Sequence, residues 1–404
     1  MNLCVTTNIQ DQLTKFWELE TCRTNSTNSV EESACETIFE QTTCRDTTGR
    51  FVVTLPKKPL IIEQLGESRT TAMRRFMGLE RRLHANPELR NAYTDFIHEY
   101  QLLGHMKEVA VQTTKTVYYL PHHAVMKPES TTTKLRVVFD ASCLTTTGVS
   151  LNDALMIGPV IQEDLINIIV RFCLHRYAVV ADIAKMYRMI RVQPDDGALQ
   201  RILWRDSPTD DIRTYELTTV TYGTACAPYL ATKCLQQLAD ISEETHPTAA
   251  KILRRDFYMD DLLSGVDQIP QGKMVVSELI NLLDSAGFPL RKWSSNCSEI
   301  LSDIPEHLHD DRSHLQLDSS NSVIKTLGLV WELSTDTFQF STPKWASATF
   351  ITKRSVLSDV SRLFDPLGLV GPVIVQAKIF IQELWKQQCG WDEPLPAELQ
   401  DQWQ

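Results

Sequence analysis

Two acidic sites stand out by residue type and setting. Tyr258-Met259-Asp260-Asp261 lies between the apolar runs Phe257-Tyr258-Met259 and Leu262-Leu263, with Ser264-Gly265 closing the second. Apolar, two acids, apolar is the pattern of a tight hairpin whose tip pushes charge out of a buried sheet. Asp is among the residues that tolerate the backbone angles of such a tip. Buried unpaired acids are costly. The pair therefore reads either as a solvated turn or as a site for a divalent cation. The second site is Asp182, at the carboxyl end of the apolar strand Ala178-Val179-Val180-Ala181. If the two strands are neighbours in one antiparallel sheet, Asp182, Asp260 and Asp261 converge. Three carboxylates so placed would hold two Mg²⁺ ions about 3.5–4 Å apart, the equipment for in-line nucleotidyl transfer. Oxygen-only ligands suit Mg²⁺ or Mn²⁺ and not Zn²⁺.

The rest of the chain must build those strands. At 404 residues, 43% hydrophobic and 23% charged, it has room for two or three domains and an ordinary globular composition. The formal net charge of −11 argues against a nucleic-acid binder unless basic groups are locally concentrated. The ten cysteines contain no Cys-x-x-Cys, which speaks against zinc and for reduced thiols in an intracellular protein. The strongest apolar stretch, Pro366 to Ala377, is roughly half of the ~20 residues a membrane span needs, so no membrane role is expected.

Residues 1–50 are polar, and Thr21 to Glu32 reads as a linker. Phe51 to Pro56 reads as a strand. Met73, Phe76, Met77 and Leu83 are spaced for one buried helix face, with Arg74, Arg75, Arg81 and Arg82 largely elsewhere. A second helix opens on Asn86 as cap and Pro87 at its first position. Val117 to Leu120 and the runs ending at Lys127 and starting at Lys134 read as strands, the last two forming a hairpin. His122 and His123 point to opposite faces of a strand, which argues against a joint metal site. Ile161 to Leu174 reads as a helix, Arg188 to Val192 as a basic β-like run, and Arg201–Trp204 and Tyr215–Leu217 as paired strands. Tyr222-Gly223 opens a loop before a helix from Pro228. Leu327 to Trp331 reads as a strand hairpinned to Phe338–Phe340. Ser355–Phe364 and Pro372–Lys386 read as helices.

The motifs as a set resemble a known family. Tyr258-Met259-Asp260-Asp261 resembles the catalytic box of reverse transcriptases, and Asp182 to Tyr187 resembles their other metal-binding strand end. Several further motifs resemble the Pao/BEL class of LTR retrotransposons, in the family's order. They are Leu120-Pro121-His122-His123, Leu135 to Ser142, Ser150-Leu151-Asn152-Asp153, Thr221-Tyr222-Gly223-Thr224, Phe364 to Gly368, Trp391-Asp392-Glu393 and Phe16-Trp17-Glu18.

The resemblance implies an α+β right-hand polymerase with fingers, palm and thumb around an antiparallel ferredoxin-like palm sheet. It divides the chain into a leading protease–polymerase linker (1–50), fingers and N-terminal helices (51–177), a palm with a fingers insertion (178–340) and a helical thumb-like segment (341–404). It implies an RNA-directed DNA polymerase that uses dNTPs, an RNA template, a DNA primer and the RNA–DNA hybrid, with two Mg²⁺ ions, or Mn²⁺, as cofactor. Asp182, Asp260 and Asp261 would bind metal, with the Ile183 carbonyl available to one ion. Arg136 and Lys127 would lie along the incoming triphosphate, and Tyr187 would exclude a ribose 2′-hydroxyl. Tyr222-Gly223 would pack on template base and nucleotide. Lys292 would protonate the leaving pyrophosphate, and Leu327, Gly328, Leu329, Val330 and Trp331 would grip the primer end. Phosphates would meet the finger helices, Arg188, Arg191, Lys344, Lys353 and Arg354.

A full-length element would also carry protease, RNase H and integrase, whose carboxylate and zinc motifs are not seen in this chain. The thumb-like part is short, as in a truncated element or one segment of a longer product. The compartment implied is cytoplasmic and particle-associated. Two other readings stand beside this one. An RNA-dependent RNA polymerase shares the metal geometry, but usually has a small polar or acidic residue where Tyr187 stands. A non-catalytic remnant would retain only nucleic-acid binding.

Overall fold

The first element lies where the sequence suggests a linker. In the computed structural model, Ser29 and Glu32 cap a helix, α1 (Val30–Thr42), by reciprocal side-chain-to-backbone bonds. Only Cys35 and Phe39 of this helix are buried, which is why its apolar period is faint in the sequence. A short hairpin follows, β1 (Cys44–Arg45) with β2 (Phe51–Val53), its turn organised by the Asp46 carboxylate, which accepts from the Thr48 and Arg50 backbone. The structure describes residues 28–110, 116–126, 135–310, 323–326, 329–339, 351–363, 365 and 367–403. Phe16-Trp17-Glu18, Lys127, Leu327, Gly328, Lys344, Phe364 and Pro366 lie outside them.

Two helices then pack side by side. In α2 (Arg69–Ala85), Ala72, Phe76, Leu79 and Leu83 are buried at three- and four-residue steps, while Arg74, Arg75, Arg81 and Arg82 are exposed. Met77, expected on the inner face, is exposed instead. Asn86 accepts from the Leu89 backbone at 3.1 Å and so caps α3 (Pro87–Leu102), which buries Tyr93, Ile97 and Tyr100. Next come β3 (Met106–Val109) and the hairpin of β4 (His122–Met126) and β5 (Leu135–Phe139), with Val125 opposite Arg136. Val117 to Leu120 does not become a strand: only Tyr119 bridges, to Arg201.

The central sheet begins after α4 (Leu165–Phe172) with β6 (Tyr177–Ile183). The run Arg188 to Val192 splits into a helical turn, α5 (Met186–Met189), and a two-residue strand, β7 (Arg191–Val192), parallel to β2. Lys185, in the left-handed region at φ 56°, turns the chain into α5, which the β-like composition of the run conceals. A separate sheet, in the order β3-β9-β8, adds β8 (Arg201–Trp204) and β9 (Arg213–Leu217). The helices α6 (Ala227–Ile241) and α7 (Pro247–Arg255) lead to β10 (Phe257–Tyr258) and β11 (Asp261–Val266). Then α8 (Ile269–Asp284) leads to β12 (Leu290–Ser295). The central sheet has the order β10-β11-β6-β12, every pair antiparallel.

Both faces of β6 are covered, which explains its unbroken apolar run. Val179 and Ala181 join the main core with Leu235, Leu238 and Leu279, whereas Ala178 and Val180 pack with Ile168, Phe172 and Trp331. Burying a Val or Leu side chain contributes about 1.5–3 kcal/mol. Packing on two sides thus holds the strand end at Asp182 on a rigid base.

The C-terminal part adds β13 (Val323–Thr326), β14 (Leu329–Glu332) and β15 (Thr337–Gln339), with the β14–β15 hairpin as expected. It ends in α9 (Lys353–Arg362), α10 (Gly371–Lys386) and α11 (Ala397–Trp403), around Val356, Phe380, Leu384, Leu395 and Leu399. The fold is mixed α+β. Among the described residues no helix is long and apolar enough to cross a membrane.

Candidate active site

The sheet register brings the two acidic strand ends together. Asp261, the first residue of β11, sits directly opposite Asp182 of β6, and the Ile183 backbone donates to the Asp260 carbonyl at 2.8 Å. Tyr258 faces Asp261 across the hairpin, which leaves Met259 and Asp260 as the turn. The left-handed residue of that turn is Met259, at φ 56°, and neither aspartate as the sequence suggests. A non-glycine residue there costs about 1–2 kcal/mol.

β12 supplies cations to one of these acids. Arg291 Nε donates to Asp182 Oδ1 at 3.0 Å, and Lys292 Nζ to Oδ2 at 2.5 Å. Adjacent residues of a regular strand point to opposite faces. Here the register with β6 shifts between Arg291 and Ser294, and Lys292 has φ 56°, so both side chains reach the same carboxylate. Lys185, Met259 and Lys292 are thus three left-handed non-glycine residues at the two acidic strand ends, the kind of place where backbone strain collects.

Among the described residues the other two acids have no such partner. Burial, then the charges of Asp260 and Asp182, push Asp261 up to about 7 against a weaker pull from Lys292. Asp260 is also raised, by burial first and by Asp182, while Lys292 and Arg136 draw it back. Hard carboxylate oxygens and a backbone carbonyl are the donor set that Mg²⁺ takes. The donor chemistry therefore fits, but the side chains do not form a closed cage. Among the described residues no group of three or more His, Cys, Asp or Glu is arranged to hold a metal ion.

Around the carboxylates lie most of the other candidates. Tyr187, in α5, is half-buried, and burial together with the Asp260 charge pushes its hydroxyl up to about 12. Arg136 is exposed on β5, close enough for its charge to act on both Asp260 and Tyr222. The Tyr222 ring lies 5.5 Å from that of Phe139, and the Tyr100 hydroxyl donates to the Tyr222 hydroxyl at 3.5 Å. Gly223 has φ +101°, and a Cβ there would lie 2.2 Å from the Phe139 carbonyl oxygen, so only glycine fits. Val330 and Trp331 are buried in β14, with Trp331 5.0 Å edge-on to Phe172.

Several cations expected to hold phosphate are committed elsewhere. Arg188 is buried, its Nε donating to His105 Nδ1 at 2.9 Å and its Nη2 to Glu99 Oε1 at 2.8 Å. Arg191 pairs with Asp46 at 3.1 Å and Arg354 with Asp392 at 2.6 Å. Lys353 is buried with its ammonium 3.6 Å above the Trp385 ring. Paired strands and packed terminal helices create these partners, which no local pattern announces.

The structure also adds residues to the site. Asn152 donates to the Gly223 carbonyl at 3.0 Å and accepts from the Ala225 backbone at 2.8 Å, holding the Tyr222 loop. Its motif is visible in the sequence, its role is not. Arg291 escapes notice because strand alternation sends it away from the face that Lys292 would share.

Three comparisons bear on identity. A family model, the Pao retrotransposon-like RNaseH-like domain, matches residues 352–404. Among solved structures, a foamy viral protease-reverse transcriptase in complex with double-stranded DNA matches with a TM-score of 0.50 and 13% identity, over 99% of this chain. Residues 352–404 are thus similar to a Pao retrotransposon domain, and the chain as a whole is similar in fold to a reverse-transcriptase structure. No curated protein matches the chain. At such identity the structural likeness speaks of the fold alone, and this chain spans 60% of that structure's chain. The matched residues 352–404 coincide with α9 to α11, where the sequence suggests thumb-like helices and shows no RNase H carboxylate motif.

Proposed function

We propose that this chain is a segment of a Pao/BEL-type Pol protein and an RNA-directed DNA polymerase that extends a DNA primer with dNTPs on an RNA or DNA template. The observation that carries the reading is the register of Asp182 against Asp261, with Asp260 beside them on the turn of the same antiparallel sheet. The strand order β10-β11-β6-β12, with helices between β6 and β10 and between β11 and β12, supports a ferredoxin-like palm. The β4–β5 hairpin with α2 and α3 would then be the fingers, and α9 and α10 a thumb.

Asp182, Asp260, Asp261 and the Ile183 carbonyl would hold two Mg²⁺ or Mn²⁺ ions. Bound there, the ions would lower the pKa of a primer 3′-hydroxyl and neutralise charge on the triphosphate. The chain's own groups do the positioning. Arg136, exposed and near Asp260, meets the triphosphate, with Lys127 as its partner. Tyr187 beside Asp260 fills the space of a ribose 2′-hydroxyl. The Tyr222-Gly223 loop, tied down by Asn152, lets template base and nucleotide stack against it. Lys292, at the carboxylates, is placed to give a proton to the leaving pyrophosphate. The strand β14 would support the primer end by its backbone.

The RNA–DNA hybrid would be bound by shape and phosphate charge without sequence readout. The exposed Arg74, Arg81 and Arg82 of α2 would supply that charge locally, in spite of the net charge of −11. The nucleic acid bound by the foamy viral relative supports this partner class.

The test is extension of a DNA primer on poly(rA) with Mg²⁺ by the wild type and by Asp260→Asn. The expected result is a loss of about three orders of magnitude in the variant, the several kcal/mol that such ions supply. Equal extension by the two proteins, or none by folded wild type, overturns the reading.

A further inference from the structure

Tyr187 sits between two cations that share a single acceptor. Lys185 precedes it by two residues and Arg188 follows it directly, and both bond to Oε1 of Glu99 in α3. Lys185 holds the left-handed conformation that starts the turn, and its carbonyl accepts from the Arg188 backbone at 2.8 Å. The Ile190 backbone closes the turn by donating to the Tyr187 carbonyl at 3.2 Å. A free turn of five residues with one strained residue would sample other conformations. This one is gripped from outside the central sheet.

The grip has three further parts. The Arg188 guanidinium lies 4.0 Å over the Tyr100 ring and donates to His105 Nδ1. His105 is pushed down to about 3, by burial first and by Arg188 next, so it stays a neutral acceptor. Arg50 donates from Nε to the Met189 carbonyl at 2.7 Å and from Nη2 to the Arg188 carbonyl at 2.6 Å. Glu99 alone of these groups bonds to both sides of Tyr187. Its neighbour Tyr100 reaches Tyr222 on the opposite loop, so one helix touches both walls around the carboxylates.

We propose that Glu99 is a positioning residue for nucleotide selection: by tying Lys185 and Arg188 to one carboxylate oxygen it fixes the turn that aims the Tyr187 ring beside Asp260. The inference rests on the reading of Tyr187 as the group that excludes ribonucleotides. Glu99 touches no substrate and acts only through Tyr187. Losing its charge releases both cations at once, the ring gains freedom, and the space beside a 2′-hydroxyl opens.

The test compares wild type, Glu99→Gln, Glu99→Ala, Tyr187→Val and the Glu99→Ala/Tyr187→Val double variant. The readout is the preference for dTTP over UTP, taken as the ratio of kcat/KM on poly(rA) with a DNA primer. The same preference is read as the ratio of affinities on that duplex ended by a dideoxynucleotide, which requires no chemistry. Glu99→Ala is expected to lower the preference about three- to tenfold, in the range of couplings between interacting residues, with Glu99→Gln between it and wild type. The double variant is expected to match Tyr187→Val, since the effect passes through that ring. Thermal unfolding reports folding, and Glu99→Gln decides if Glu99→Ala does not fold. Equal losses for dTTP and UTP, or additive effects in the double variant, make Glu99 merely structural and overturn the inference. An unchanged preference in Tyr187→Val overturns the gate reading and the inference with it. A change there without one in the Glu99 variants overturns the inference alone.

Discussion

Asp182 and Asp261 face each other across one pair of strands, yet their charges are handled in opposite ways. Asp182 has a guanidinium at 3.0 Å and an ammonium at 2.5 Å, both from the bulged end of β12. Among the described residues Asp261 has no partner cation of its own, and burial with the field of two other carboxylates pushes it up to about 7. The difference follows from sheet position. β6 is central and borders β12, which brings Arg291 and Lys292. β11 borders only the short β10 and β6, neither of which brings a base. The charge of the acidic cluster is therefore offset unevenly, on one side by tethered bases and on the other by a carboxyl whose pKa is raised to about 7.

That asymmetry can be broken in three ways. The largest effect is expected in metal affinity. Mn²⁺ must displace the Asp261 proton, so affinity should rise up to about tenfold per pH unit below pH 7 and level off above it. Titration of Mn²⁺ by electron paramagnetic resonance across pH 5.5 to 8.5 reads this directly, and a flat profile would place Asp261 outside the binding set.

Next come stability changes of opposite sign. Asp261 has a folded pKa near 7 against an ordinary value of ~3.9. Its favourable contribution is present below the lower value and is lost as pH rises through 7. Asp261→Asn should therefore raise the unfolding midpoint at pH 8 and leave it nearly unchanged at pH 4. Asp182→Asn should lower the midpoint at pH 8, because it leaves Arg291 and Lys292 facing a neutral amide. Shifts of the same sign in urea or thermal unfolding would show that the two acids are not differently compensated.

The smallest effect belongs to Arg291, which is partly exposed. Arg291→Ala should cost about 1 kcal/mol at pH 7, as partly exposed charged hydrogen bonds do. The cost should vanish in an Asp182→Asn background. A cost that persists there would mean that Arg291 serves another partner.

The legible and illegible parts of this site divide along the same line. The hairpin at Phe257 to Leu263 and the strand ending on Asp182 are local patterns, and the structure forms both. The Asn86 cap and the paired strands at Arg201 and Tyr215 were equally readable. The helix at Val30 was carried only by Ser29 and Glu32, since two buried side chains make too weak a period. The run Arg188 to Val192 misled because its residue types favour strands, while the turn at Lys185 and the buried Glu99–Arg188–His105 contacts hold its first half as a helix.

What the sequence by itself determined is the inventory of carboxylates, their seats at strand ends, and the ordered motifs that resemble a known family. These are properties of single segments, set by period and by residue chemistry. Only the tertiary structure decided who neutralises whom. The bulge in β12 that turns Arg291 and Lys292 onto Asp182, the isolation of Asp261, and the hold of Glu99 on both flanks of Tyr187 all join residues from different elements. Such pairings depend on sheet order and register, which are set by the packing of the whole core and by no local run of residues.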